Sequence, residues 1–302
     1  MFTIFGMPKS FANPHINVIQ RNAIKSWTKL RPECEVILFG DDEGTAEIAQ
    51  QFNIHYIPKV ERNEFGTPLV SSLFNSAMEV SNSDVLAYVN SDMILMRDFA
   101  STLKRVPLES SFMLVGLKWE LDVRELIDFD ACDWEDQLRR RLTAIGKMDK
   151  EFGGSDYFVF RGGMWGEIPP LALGRYVWDN WLIYRAQALG AKVINATPVI
   201  TAVHQTHDYS HHPQGQDGVT YSWETWKDFQ TAGGRSHMGT LFDVNLIMTH
   251  AGVEELEVTE EHLQYMEASH TFEHTWTAEL QRRHSTHFKE NSEVGGSSIT
   301  SS

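Results

Sequence analysis

Asn90-Ser91-Asp92 sets a carboxylate between two apolar runs, Val85 to Val89 and Met93 to Met96. A carboxylate at the end of a buried strand can reach a divalent cation, and hard cations such as Mg²⁺ and Mn²⁺ take such oxygen ligands. The same triplet also makes an ordinary turn or helix cap. Asp41-Asp42 follow another apolar run and could accept hydrogen bonds from a base or ribose, or cap the helix that begins near Thr45. The stretch "HQTHDYSHH" packs His204, His207, His211 and His212 into nine residues of a chain with 13 histidines. His204 or His207 could complete a metal site begun by Asp92. An all-histidine zinc site is the competing chemistry, and a solvated polar loop the plain alternative. In "VWDNW", Trp178 and Trp181 flank Asp179 and Asn180. Indole rings cover the apolar faces of a pyranose and a carboxylate takes a hydroxyl proton, which fits a sugar site. The pattern equally fits a helix start with both indoles in the core. Five of the nine tryptophans fall between Trp165 and Trp226, which favours a stacking surface in that half.

These groups must be positioned by the elements around them. "FTIFG" reads as a buried strand, Ile16 to Leu30 as an amphipathic helix, and "CEVILF" as a second strand. Thr45 to Phe52 reads as a helix, "HYIP" as a short strand, Leu69 to Val80 as a helix and "DVLAYVN" as a strand. Such alternation argues for a mostly parallel α/β sheet with helices on both faces. Ligands of such sheets bind beyond the carboxyl ends of the strands, where Met7 to Phe11, Asp41 to Thr45 and Asn90 to Asp92 lie. No Gly-x-Gly-x-x-Gly or Walker loop follows the first strand, which speaks against a dinucleotide oxidoreductase or a P-loop enzyme. Further on, "SFMLVGLKWEL" reads as one strand and Leu121 to Met148 as a long amphipathic helix. "DYFVF" reads as a strand, "VWDNWLIYRAQAL" as a helix ended by Gly190, and "KVINATPVITAVHQ" as strand-like.

The chain has 302 residues, 42% hydrophobic and 22% charged, so it can bury a large core. Its net charge of −15 speaks against nonspecific nucleic-acid binding and attraction to anionic membranes. An anionic ligand would therefore need a local cation. Two cysteines, Cys34 and Cys132, suit reduced thiols. With no apolar run long enough to span a membrane and no signal-peptide pattern, a cytoplasmic protein without membrane insertion is expected.

In order along the chain, "FTIFGMPKSF", "VILFGDDEG", "GTPLVSSLFNSAMEVSNSDVLAYVNSDMIL", "GGSDYFVF", "GRYVWDNWLI" and "HQTHDYSHH" resemble nucleotide-sugar-dependent glycosyltransferases of the GT-A fold, in the family-2-like style. The likeness covers roughly residues 1–212, and "FQTAGGRSH" extends it. It implies a Rossmann-like sheet and transfer of a sugar from a UDP- or GDP-linked donor to a hydroxyl acceptor, assisted by Mn²⁺ or Mg²⁺. Residue by residue, Asp92 matches the last Asp of Asp-x-Asp, the metal ligand, and Asn90 departs from the first. His204, with His207 as the alternative, matches the metal-binding His. Asp41 matches the acidic residue at the nucleoside, and Pro8 and Lys9 match the first nucleotide loop. Thr67 and Ser91 join the nucleotide-sugar set. Asp179 stands where many inverting members keep the catalytic base; in a retaining reaction it would instead position the donor sugar. Asp156, Arg175, Trp178 and Asn180 fall in motifs on the acceptor or sugar side.

Two other readings share parts of this pattern: a sugar nucleotidyltransferase, and a non-catalytic nucleotide-sugar binder that Asn90 keeps open. A zinc-binding structural protein is a third. The expected division is a nucleotide-sugar half at 1–105, an acceptor and metal half at 106–253, a helical extension at 254–290 and a disordered tail at 291–302. The extension has two uses open to it, acceptor binding or a homodimer.

Overall fold

A computed structural model describes residues 1–106, 111–149, 155–208 and 215–294. Its first part alternates as the hydrophobic pattern requires: β1 (Phe2–Gly6), α1 (Pro14–Thr28), β2 (Cys34–Phe39), α2 (Thr45–Phe52), β3 (His55–Ile57), α3 (Val70–Val80) and β4 (Val85–Val89). There follow β5 (Met93–Leu95), α4 (Arg97–Leu103), β6 (Phe112–Val115), β7 (Trp119–Leu121), α5 (Trp134–Ile145), β8 (Lys147–Met148) and β9 (Tyr157–Arg161). The rest comprises α6 (Trp178–Ala188), β10 (Lys192–Asn195), β11 (Ala202–Gln205), α7 (Gly215–Thr220), α8 (Trp223–Thr231), β12 (Leu246–Met248), β13 (Val253–Glu255) and α9 (Glu260–Val294). His211 and His212 lie outside the described residues, as do 295–302 of the expected tail, whereas its first four residues, 291–294, continue α9 instead of being disordered.

Among the described residues the main sheet has nine strands in the order β13-β12-β10-β6-β9-β4-β1-β2-β3. It is mostly parallel, with β9 antiparallel to β4 and β6, and β13 antiparallel to β12. This is the expected α/β class. Both faces are buried. Phe5, Leu86 and Tyr88 face one core with Phe74 and Trp178, while Ile4, Ala87 and Val89 face another with Trp27 and Phe99. Burial on both sides explains why these strands read as unbroken apolar runs.

A second sheet, β5-β11-β7-β8, stands beside the first. Helix α1 braces it, because Trp27 Nε1 donates to Met93 O at 2.9 Å and Leu95 N donates to Ser26 Oγ at 3.1 Å. Asn13 caps α1 through the backbone N–H groups of His15 and Ile16, with Pro14 at its first position.

Two expectations are corrected. "SFMLVGLKWEL" is not one strand: it divides at Gly116 into β6 in the main sheet and β7 in the small one. A Cβ at Gly116 would come within 2.2 Å of Tyr157 Oη, so the chain crosses there only as glycine. The helix expected from Leu121 to Met148 is confined to α5. Upstream of it, Asn22 of α1 grips the backbone, donating to Glu125 O and accepting from Ile127 N, each at 2.9 Å. Those backbone groups are then spent on tertiary partners rather than on helical ones. Residues 253–255 likewise pair as β13, so the terminal helix begins only at Glu260. Among the described residues no helix is long and apolar enough to cross a membrane.

Candidate active site

The register of the small sheet brings together three side chains that could hold a metal ion. In it His204 sits opposite Met93 of β5 on one side and Glu120 of β7 on the other. Asp92 immediately precedes β5, and Gln205 fixes its backbone, donating to Asp92 O from both its backbone N at 3.2 Å and its Nε2 at 2.9 Å. One donor atom from each of Asp92, His204 and His207 lies within 4.8 Å of the others. His207 Nε2 is 3.1 Å and His204 Nε2 3.8 Å from Asp92 Oδ2. The Nδ1 atoms face outward to acceptors, Glu120 Oε2 at 2.6 Å for His204 and Asp208 O at 2.7 Å for His207. Each imidazole is therefore fixed with Nε2 toward the carboxylate, the arrangement by which outer partners orient metal-binding histidines.

Electrostatics match the geometry. Burial opposes the Asp92 charge, but His204, the hydrogen bond from His207 and Lys9 hold the carboxyl well below the usual range. Burial likewise opposes a His204 cation, but Asp92 and Glu120 outweigh it and push the imidazole up to about 8. Asp92 Oδ1 is buried with no hydrogen-bond partner among the described residues.

Asn90 and Asp156 form the neighbouring layer. Strand β9 runs antiparallel to β4, so Tyr157 opposes Val89 and places Asp156 beside Asn90. Tyr88 Oη donates to Asn90 Oδ1 at 2.8 Å, and Asn90 Nδ2 donates to Asp156 Oδ1 at 2.7 Å. Lys118 closes the chain, 2.5 Å from Asp156 Oδ2 and 3.5 Å from Asp149. Burial works against the Lys118 charge, but Asp156 leads the carboxylates that hold it above lysine's ordinary range. The Asn90 side chain is thus engaged within the protein. A carboxylate there would meet Asp156 instead of donating to it.

Asp179 stands in the first turn of α6. Burial lifts its carboxyl to about 6 against the restraint of the Asn180 N–H and its own, Asp156 adds to the rise, and Lys118 offsets it. A carboxyl at that value is mostly ionised at neutral pH yet basic enough to take a proton. Val177, just before the helix, is held at φ 126°, a region that costs a β-branched residue strain.

The first nucleotide-loop candidates flank this edge. Pro8 is buried and Lys9 exposed. Gln20 holds the Lys9 backbone from both sides, accepting from its N at 2.6 Å and donating to its O at 2.8 Å. Although the residue as a whole is exposed, burial of its ammonium lowers it from its ordinary value, with Arg175 adding, against the pull of Asp92 and Asp156. Gly6 lets Ser91 come close, since a Cβ there would lie 2.7 Å from Val89 O and 3.2 Å from Ser91 Oγ. Asp41 pairs at 2.9 Å with Arg62, which also reaches Asp42. Arg175 donates to Thr67 Oγ1 at 3.2 Å and to the buried Glu224 at 2.5 Å, and Asn63 donates to the other Glu224 oxygen.

Two sugar-side expectations do not survive. Trp178 is 5% exposed and packs against Tyr88, Phe158 and Phe74, with ring centroids 5.2, 5.5 and 6.4 Å away. Trp181 is also in the core, so the indoles flanking Asp179 offer no face for a pyranose. Asn180 is buried, and its amide donates to Gly239 O at 3.0 Å instead of facing a ligand. Burying these side chains anchors the turn that carries Asp179 against the sheet. Sequence reasoning missed Lys118, Glu120 and Glu224. The first two alternate along "LKWEL", a period that puts them on one strand face, and Glu224 left no local signal.

No protein-family model matches the chain. No curated protein matches it. Among solved structures it is similar to S. aureus TarS 1–349 in complex with UDP-GlcNAc, at 12% identity over 70% of this chain and 60% of that one, with a TM-score of 0.46. It is similar to glucosyl-3-phosphoglycerate synthase from Mycobacterium tuberculosis in complex with Mn²⁺, UDP and phosphoglyceric acid, at 13% identity over 78% and 79% of the chains, TM-score 0.45. A third is a mannosyltransferase from Pyrobaculum calidifontis in complex with GDP-Man and Mn²⁺, at 10% identity over 94% and 75%, TM-score 0.46. The chain thus spans 60% of the TarS fragment. Likeness at this distance assigns neither activity nor substrate.

Proposed function

We propose that the chain is a metal-dependent glycosyltransferase that moves a sugar from a nucleotide-diphosphate sugar, UDP- or GDP-linked, to a hydroxyl acceptor. The observation that carries this reading is the meeting of Asp92, His204 and His207 at the carboxyl edge of the sheet, with both Nδ1 atoms already spent on acceptors. Asp92 Oδ1, which has no hydrogen-bond partner among the described residues, and the two inward Nε2 atoms fit a divalent cation. Two imidazoles favour Mn²⁺ over Mg²⁺, which prefers oxygen alone, and three protein ligands leave coordination positions open, unlike a closed structural zinc site. When bound, such a cation supplies Lewis-acid stabilisation of the departing diphosphate.

The chain's own residues do the rest. Lys9 places a second cation near Asp92, which offsets the acidity of the protein toward an anionic donor. The Tyr88–Asn90–Asp156–Lys118 chain holds the loop after β4 and the start of β9 in one geometry. Asp179 accepts the acceptor's hydroxyl proton as that oxygen bonds to the anomeric carbon and the bond from the anomeric carbon to the diphosphate oxygen breaks, in an inverting displacement. A non-catalytic nucleotide-sugar binder would share the triad and differ in showing no turnover.

The test is thermal stabilisation by a panel of UDP- and GDP-sugars with and without Mn²⁺. Stabilisation by one donor only when Mn²⁺ is present, abolished in Asp92→Ala, is the expected result. Stabilisation by zinc alone, indifferent to every nucleotide sugar, refutes the reading.

A further inference from the structure

Two adjoining hollows, of about 480 and 360 Å³, run along α9 where it faces the Gly233–Arg235 turn, and Arg235 and His274 line both. His270 and Thr275 line the first and Gln281 the second, and Glu267 is the one carboxylate among their lining residues. The turn is built to present Arg235. Gly233 and Gly234 take φ values of 97° and 76°, and a Cβ on Gly233 would strike the His237 ring at 2.5 Å.

The Arg235 guanidinium makes no hydrogen bond or ion pair with any described residue, whereas every other described arginine is engaged. The buried Glu273 carboxyl, which interacts with it electrostatically, is only partly ionised near neutral pH. Glu273 is lifted by burial, with Asp243 adding, to about 7, against the pull of His270 and Arg235. His270 in this lining is already held by Asp243 at 2.9 Å, so the groups left for an anion are the exposed, unspent Arg235 guanidinium, the His274 imidazole and the Gln281 amide, in a chain whose net charge is −15.

The groove is tied to the proposed base. Asn180, next to Asp179, exchanges two hydrogen bonds of 3.0 Å with Gly239, donating from its amide and accepting on its backbone O. The His237 ring packs on Tyr184 of α6 with centroids 4.7 Å apart. Glu273 interacts electrostatically with both Asp179 and Arg235. The turn bearing Arg235 is therefore fixed against the helix whose first turn carries Asp179.

We infer that this groove is the acceptor subsite and binds an anionic group, a phosphate or a carboxylate, carried by the hydroxyl acceptor; this rests on the transferase reading above. The full-length protein is titrated with inorganic phosphate and, separately, with acetate at fixed ionic strength, and the His274 ring signals are followed by NMR after assignment through His274→Gln. A saturable shift is expected, weakened about tenfold or more in Arg235→Gln by loss of a charge-assisted hydrogen bond. It should be retained in Lys9→Ala, which removes the cation on the donor side. A stronger response to phosphate supports a phosphorylated acceptor, and a stronger response to acetate a carboxylated one. No saturable shift with either anion, or an undiminished shift in Arg235→Gln, overturns the inference. Neither titration needs metal or donor, so Mn²⁺-dependent nucleotide binding stands or falls separately.

Discussion

Replacing Glu120 by Gln puts the metal reading under quantitative strain. Glu120 Oε2 lies 2.6 Å from His204 Nδ1, and with Asp92 it raises the imidazole to about 8. A metal ligand must be neutral, so Mn²⁺ competes with a proton for His204. At pH 7 about one imidazole in ten is neutral and at pH 9 about nine in ten, so wild-type affinity should rise about tenfold, or about 1.4 kcal/mol. The sign can be checked on the metal-free protein. The folded imidazole holds its proton more tightly than the unfolded chain does, from 6.5 to about 8. Its stabilisation is thus full below about pH 6.5 and lost as pH rises through about 8. Glutamine keeps an acceptor but removes the charge, with two opposed effects. Ligand basicity falls, for which outer-partner replacements cost roughly 10- to 100-fold in affinity. The His204 pKa falls as well, which relieves proton competition at pH 7. The deficit of Glu120→Gln should therefore be larger at pH 9 than at pH 7. Isothermal titration with Mn²⁺ under anaerobic conditions at both pH values measures this. Equal wild-type affinity at the two pH values, or a variant indistinguishable from wild type at both, refutes the coupling.

Three further outcomes are expected. Asp179→Asn should lower transfer turnover by roughly 10²- to 10⁴-fold with donor affinity nearly unchanged, and wild-type kcat should fall as pH drops through about 6; a variant with full turnover ends the base assignment. Asn90→Asp should not tighten Mn²⁺ binding but should lower stability in urea by about 1–3 kcal/mol, because it replaces the donor 2.7 Å from Asp156 with a like charge; tighter metal binding would contradict the geometry. Burial keeps the Asp228 carboxyl protonated to about 7, against 3.8 in the unfolded chain, so stability should decline as pH rises between those values. Asp228→Asn can still accept from Ala172 N and should remove that decline, gaining up to about 4 kcal/mol at pH 8; unchanged urea midpoints across the range would count against it.

The sequence by itself determined the strand–helix alternation through β4, because those strands are buried on both faces and their helices carry one apolar stripe. It determined that Pro8, Lys9, Asp41 and Asn90 to Asp92 follow strand ends, since position along a parallel sheet is read directly from order. It marked Asp92, His204, His207 and Asp179 as candidate site residues. It left His204 and His207 as alternatives, and that choice had no local answer. Both rings reach Asp92 because β11 pairs with β5 and β7 in a register that no window of sequence contains. Glu120 became the partner of His204 only when Gly116, crowded by Tyr157, sent the chain into a second sheet. The tryptophans beside Asp179 misled for the same reason. An indole at helical spacing is equally a sugar platform or a core residue, and only the packing of α6 on Tyr88 and Phe158 put Trp178 inside.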